Sequence, residues 1–175
     1  ALSLQMRNLV DSTGQELGKA TEIVLTSYMS PPRSEGVLHF DRQHNFFIQR
    51  EGRKRWLVSE TPAVACPFEN FVYLGVPYEE IQQLADRGYK IKLPRDCGKA
   101  RFSMEPGDVL YVPPGHYHVP ETREETSLHY TLTIEPDTLW RRANKLLFDC
   151  MLKNTAVLNR DIRRLDENEL RMIED

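Results

Sequence analysis

The chain has 175 residues, 40% of them apolar, and a net charge of −3. That is enough chain for one buried core and little more. It carries neither the basic excess of a nucleic-acid binder nor an apolar span of about 20 residues for a membrane. Cys66, Cys97 and Cys150 are odd in number, far apart and without a CxxC pair. This argues against a disulfide scaffold and a thiolate zinc site and predicts a reducing, cytoplasmic setting.

In chain order, the opening ALSLQMRNLV is too short and too weakly apolar to read as a secretory signal. Thr21 to Tyr28 (TEIVLTSY) predicts an early strand that ends at Pro31-Pro32, and strands follow around 37–41, 45–50 and 54–59. Arg50-Glu51-Gly52-Arg53 predicts a hairpin turn, where a positive φ suits Gly52. Side chains alternate along a strand. Asn45, Phe47 and Gln49 therefore share one face before the turn, with Phe46 and Ile48 on the other; after it, Lys54 and Trp56 share a face opposite Arg53 and Arg55.

An insert follows, in which Pro77 to Gly88 predicts a short helix with Pro in its first turn and Gly past its end. Strands resume near 89–93, 100–104, 108–112, 117–120 and 126–134. Eight to ten short strands with Gly and Pro turns predict a mainly β, closed or sandwiched architecture rather than α/β. From Pro136 the period becomes helical, through Leu139, Trp140, Ala143, Leu146, Leu147, Cys150 and Met151, with Asp137 as N-cap. Further helices are predicted over 155–165 and from a capping box at Asp166 to Glu169. The predicted organisation is a β domain over 1–135 and a helical extension over 136–175. That extension packs on the β domain or pairs two chains into a homodimer.

His39 and Asp41 lie two apart, so on a strand both side chains face one way while Phe40 packs away. Two imidazoles and one carboxylate on one face of a metal leave the opposite positions open, the facial triad of non-haem Fe(II) oxygenases. A second imidazole is available in PGDVLYVPPGHYH, where either His116 or His118 fits on geometry alone. His44 reads as a rim or surface residue, and His129 as a cavity-lining or a hydrogen-bonded core residue. A metal-bound imidazole also needs an acceptor on its other nitrogen, which the sequence does not name. Lys54 is placed to pair with the distal carboxylate of a bound dicarboxylic acid. Arg50, Arg53 and Arg55 read as solvated.

The run HFDRQHNFFIQREGRKRW resembles the JmjC-type 2-oxoglutarate oxygenases, among them the ribosomal oxygenases and the asparaginyl hydroxylase of hypoxia-inducible factor. Their pattern is matched here by His39, Asp41, Asn45, Phe47, Gln49, Gly52 and Lys54. The block PGDVLYVPPGHYH resembles the family's approach to its third ligand, which falls on His118, and SLHYTLTI is similar to a Ser-x-His-x-Thr run of the ribosomal oxygenases. The resemblance spans roughly 20–150. It implies a double-stranded β-helix (jelly-roll or cupin type) that binds Fe(II) through His39, Asp41 and His118. It also implies 2-oxoglutarate as co-substrate, held by Lys54 with support from Asn45. The hydroxyl residue some members place just before the first ligand is absent from Glu35-Gly-Val-Leu38, so Thr131, Thr133 or Tyr28 is expected to replace it. Only 38 residues precede His39, fewer than the family usually has.

The resemblance implies oxygen-dependent hydroxylation of a protein or peptide side chain, with release of succinate and carbon dioxide. Lysine demethylation belongs to the broader family. Tailoring of a peptide natural product or amino acid is a second enzymatic reading, suited to the small size. A cupin-like metal-binding or interaction module without catalysis is the reading from another class. Neither nucleic acid nor membrane enters as an expected partner.

Overall fold

The structure, a computed structural model, describes residues 22–75, 85–86, 88–135 and 138–153. The chain divides into two compact units, Ala1–Pro136 and Asp137–Asp175. Among the described residues the first holds ten strands: β1 (Glu22–Ser30), β2 (Ser34–Glu35), β3 (His39–Phe40), β4 (His44–Glu51), β5 (Lys54–Val58), β6 (Phe71–Val72), β7 (Ala100–Met104), β8 (Val109–Val112), β9 (His118–Thr122) and β10 (Ser127–Glu135). One sheet has the order β1-β10-β4-β8 and the other β6-β3-β9-β5-β7, with β2 also on β9. Every pairing is antiparallel. From β3 to β5, and again from β7 to β10, the chain changes sheet at each step. That alternation is a double-stranded β-helix, the mainly β jelly-roll expected from the sequence.

The step between β4 and β5 is therefore not the predicted hairpin. β4 pairs with β10 and β8, whereas β5 pairs with β7 and β9, so Gly52 turns the chain from one sheet into the other. Gly52 adopts φ 63°, and a Cβ there would collide with the Thr126 carbonyl, so only glycine fits. Inside the turn the Gln49 amide donates to the carbonyls of Glu51 and Gly52, at 2.8 and 2.9 Å, and meets the Ser127 hydroxyl at 2.8 Å. The amide thus satisfies backbone acceptors where the chain leaves one sheet for the other.

The alternation along β4 and β5 holds as predicted. Asn45, Phe47, Gln49, Lys54, Trp56 and Val58 are buried while Arg50, Arg53 and Arg55 are exposed. Phe47 and Trp56 stack across the sheets at 4.0 Å and nucleate the inter-sheet core with Val58, Met104 and Val112. Burying two such rings contributes several kcal/mol. The predicted strand at 89–93 is instead irregular. Its alternating apolar residues pack Ile91 onto a second cluster of Phe40, Ala63, Cys97 and Tyr117. One backbone bond, Lys92 N–H to Ala63 O at 3.1 Å, replaces a ladder, and Pro94 opens a 3₁₀ turn. The helix predicted from Pro77 lies largely outside the described residues. Ala85 and Asp86 are helical and Gly88 has φ 87°.

The second unit carries helix α1 (Leu139–Lys153). Its N-terminal hydroxyl cap is Thr138, whose Oγ1 accepts from the Arg141 N–H at 3.2 Å; Asp137 and the helices predicted beyond 154 lie outside the described residues. No helix among the described residues is long and apolar enough to cross a membrane.

Candidate metal centre

His39 and His118 are cross-strand partners in the register of β3 and β9. Their rings consequently meet at 4.2 Å between centroids. Asp41 follows immediately after β3, and its carbonyl accepts from the Gly115 N–H at 2.8 Å. That bond ties the loop carrying the carboxylate to the turn that launches β9. The ligand atoms of the three residues lie within 4.8 Å of one another. His118 is buried, whereas Asp41 and His39 are half-buried. His116 sits in the turn before β9, not on a regular strand; its Nδ1 meets the Pro114 carbonyl at 3.3 Å. Tyr117, 1% exposed, points into the second core and separates the two histidines, so His118 and not His116 reaches the cluster.

Each clustered imidazole is fixed by a backbone carbonyl two residues upstream. Nδ1 of His39 bonds Val37 O at 2.7 Å, and Nδ1 of His118 bonds His116 O at 3.0 Å. A carbonyl only accepts, so each Nδ1 carries the proton and each Nε2 presents a lone pair. Those Nε2 atoms lie 3.8 and 3.5 Å from Oδ2 of Asp41. Three acceptors turned on one another repel unless a proton or a cation lies among them, so the donor set fits a divalent metal. Burial and the neighbouring His118 charge hold the His39 imidazole below its usual range, against the Val37 carbonyl and Asp41. The neutral ring is the ligand form. When a proton on His118 Nε2 stands in place of a cation, burial still pushes the Asp41 carboxyl up, but the hydrogen bond and charge of that ring, the charge of His39 and the Asn45 amide outweigh it. The net direction is down, toward carboxylate.

Asn45, 3% exposed, donates to Asp41 Oδ2 at 2.6 Å and accepts from Thr133 Oγ1 at 2.9 Å. Thr133 thus braces Asn45, which orients Asp41. Lys54 lines the same cavity of about 560 Å³ as the three clustered residues. It is 2% exposed and donates to Ser30 Oγ at 2.8 Å and to His129 Nδ1 at 2.9 Å. Burial pulls its ammonium down to about 8, and burial together with Lys54 pulls His129 down to about 4, so the imidazole is the neutral acceptor. Tyr28 is 50% exposed and stacks on His129 at 5.2 Å. Trp56 Nε1, Thr122 Oγ1 and Thr131 Oγ1 are buried without a hydrogen-bond partner among the described residues, and all three residues line the cavity. Sealed polar atoms of this kind are uncommon unless something else satisfies them.

A family model for the JmjC domain matches residues 5–141. The chain belongs to the JmjC domain family. Among curated JmjC relatives, the bifunctional lysine-specific demethylase and histidyl-hydroxylase NO66 of Drosophila melanogaster is 30% identical over 141 residues, covering 78% of this chain and 19% of that protein. The corresponding protein of Aedes aegypti is 30% identical over 146 residues, covering 78% and 20%. The chain thus spans about a fifth of the length of these relatives. Among solved structures, Escherichia coli ycfD superposes with a TM-score of 0.53 at 20% identity, over 91% of this chain and 40% of that one. A second structure of E. coli YcfD, described as a ribosomal oxygenase, gives 0.50 at 23% identity, over 81% and 31%. These two likenesses establish the fold of the JmjC core.

The cavity therefore gathers all seven residues singled out in the sequence: His39, Asp41, His118, Asn45, Lys54, Tyr28 and Thr133. Three participants were not legible. Ser30, which bonds Lys54, has no spacing signal beside Pro31-Pro32. The carbonyls of Val37 and His116 are backbone groups, for which no side-chain motif exists.

Proposed function

We propose that this chain is an Fe(II)- and 2-oxoglutarate-dependent oxygenase that hydroxylates a protein or peptide side chain. One observation carries the reading: a two-histidine, one-carboxylate set and a buried, incompletely bonded lysine share a single cavity. The first supplies the protein half of a facial metal site with open positions. The second supplies a cation for the far carboxylate of a keto-diacid. The names of these relatives, lysine-specific demethylase and histidyl-hydroxylase for NO66 and ribosomal oxygenase for YcfD, support the substrate class.

In this account Nε2 of His39, the Asp41 carboxylate and Nε2 of His118 would hold the iron. Bound iron supplies the redox chemistry that couples oxidative decarboxylation of 2-oxoglutarate to hydroxylation. The chain's own residues position and exclude. Thr133 braces Asn45, Asn45 keeps the Asp41 carboxylate aimed at the metal, and Lys54 sets the far end of the co-substrate. The Phe47–Trp56 stack forms the apolar wall. Holding Lys54 charged without a counter-ion is unfavourable, as its pKa near 8 records, and an incoming carboxylate relieves that burial penalty. The unpartnered Trp56 Nε1, Thr122 Oγ1 and Thr131 Oγ1 are further donors for the ligand oxygens.

The catalytic unit in this reading is 1–135, with the helical extension over 136–175 as a pairing element. The apolar residues at helical spacing along α1, among them Leu139, Leu146 and Leu147, suit a homodimer, and a cytoplasmic setting suits a chain with three widely spaced cysteines and no CxxC pair. The test is succinate release from 2-oxoglutarate in the presence of Fe(II), oxygen and a set of ribosomal-protein and histone-tail peptides. Wild type is expected to release succinate in step with a +16 Da peptide product, and Asp41→Ala to release neither. Equal turnover by Asp41→Ala would end this reading.

A further inference from the structure

Resting on that reading, Lys54 meets the far carboxylate of the co-substrate, and the residues around its ammonium form an aiming device. An ammonium has three donors and no acceptor. Two are committed, to Ser30 Oγ at 2.8 Å and His129 Nδ1 at 2.9 Å. With Cε as the fourth tetrahedral substituent, those two bonds fix the direction of the third N–H. Because the ammonium can only donate, His129 Nδ1 must accept, and the ring's single proton resides on Nε2. The imidazole is clamped in that setting by three rings. Tyr28 stacks on it at 5.2 Å with planes 13° apart, Trp56 meets it edge-on at 5.6 Å and 89°, and Phe47 at 6.0 Å and 66°. Turning the other nitrogen toward Lys54 would break that packing. His129 lines the cavity together with Lys54.

We propose that His129 is the positioning residue of the anion end of the cavity: its Nδ1 holds the Lys54 ammonium so that the third N–H is aimed at the far carboxylate. A purely structural role predicts something different. If His129 were only an aromatic slab between Tyr28 and Trp56, phenylalanine would serve as well.

The two roles separate in one set of titrations on Mn(II)-loaded protein, read by calorimetry and so independent of turnover. The ligands are 2-oxoglutarate and 2-oxopentanoate, which has the same chelating end and chain length but no far carboxylate. His129→Phe keeps the ring and removes Nδ1, whereas His129→Asn returns an acceptor near the Nδ1 position and removes the ring. His129→Phe is expected to weaken 2-oxoglutarate by about ten- to a hundredfold, the range for one hydrogen bond to a charged group. It should leave 2-oxopentanoate and Mn(II) affinities unchanged. His129→Asn should recover most of the loss. In turnover the deficit should fall on KM for 2-oxoglutarate and leave kcat at saturation in place. His129→Leu, also without an acceptor, repeats the test should the phenylalanine variant not fold. Unchanged affinity in His129→Phe, equal weakening of both keto acids, or no recovery in His129→Asn would overturn the role of His129 while leaving the oxygenase reading intact. Failure of the wild-type protein to bind 2-oxoglutarate at all would remove both.

Discussion

Replacing Lys54 with methionine removes one charge from a site where the side chain is 2% exposed and keeps most of its volume. Burial has pulled the ammonium from 10.5 to about 8, which corresponds to roughly 3 kcal/mol of disfavoured charge at neutral pH. Methionine lifts that burden. In exchange it leaves Ser30 Oγ and His129 Nδ1 without their donor, a loss of about 1 kcal/mol each. The free variant should therefore melt no lower than wild type at pH 7. Its affinity for 2-oxoglutarate should fall by about a hundredfold, the loss of one charge-assisted bond in a water-poor site. Metal affinity should not change. The assay is a keto-acid titration by calorimetry beside a thermal melt, both with Mn(II) present. A 2-oxoglutarate affinity within threefold of wild type would refute the assignment of Lys54. A large drop in melting temperature would refute the idea that its charge is held against its preference.

The other expectations are simpler. The folded pKa of Lys54 lies below its unfolded value, so its contribution to stability rises with pH between about 8 and 10.5. Over the same range the protonated form that binds a carboxylate is lost; 2-oxoglutarate affinity should thus fall above about pH 8 in wild type and stay flat in Lys54→Met. Asn45→Ala removes the 2.6 Å bond to Asp41 and should weaken metal binding by about 10- to 100-fold, the usual effect of a lost orienting partner, measured by competition with a chelating dye. His118→Ala should abolish metal binding in that assay and His116→Ala should leave it intact; the reverse order would make His116 the ligand. Gly52→Ala forces a Cβ into the Thr126 carbonyl at φ 63° and should lower stability by more than about 1 kcal/mol, read by denaturant melts.

Much of this was legible in the sequence because it follows from the period of two. His39 and Asp41 face one way, Phe40 packs beneath them at 0% exposure, and Lys54 and Trp56 turn inward together. Pairing was not legible. The turn at Gly52 has the composition of a hairpin, yet β4 and β5 belong to different sheets, with Phe47 and Trp56 stacked across the core between them. Tyr89, Ile91 and Leu93 alternate as a strand does, but no strand among the described residues offers them a ladder, and Tyr89 and Ile91 pack onto the cluster of Phe40 and Tyr117 instead. The choice between His116 and His118 was undecided by spacing. In the fold His118 lies in the cluster with His39 and Asp41, while Tyr117 beside it is buried in the second core.

Tautomer and aim were the least legible of all. They depend on carbonyls of Val37 and His116 and on a serine beside two prolines, groups whose role appears only when the chain is folded.

The most direct test of the central claim is an anaerobic titration of the protein with Fe(II) and then 2-oxoglutarate, followed in the visible spectrum. Chelation of a keto acid by iron held in a two-histidine, one-carboxylate site gives a charge-transfer band. The account predicts that this band saturates at one equivalent, persists in His116→Ala, needs more 2-oxoglutarate in Lys54→Met and is absent in Asp41→Ala. Iron bound at one equivalent with no band at saturating 2-oxoglutarate would contradict it and leave a metal-binding jelly-roll without this co-substrate.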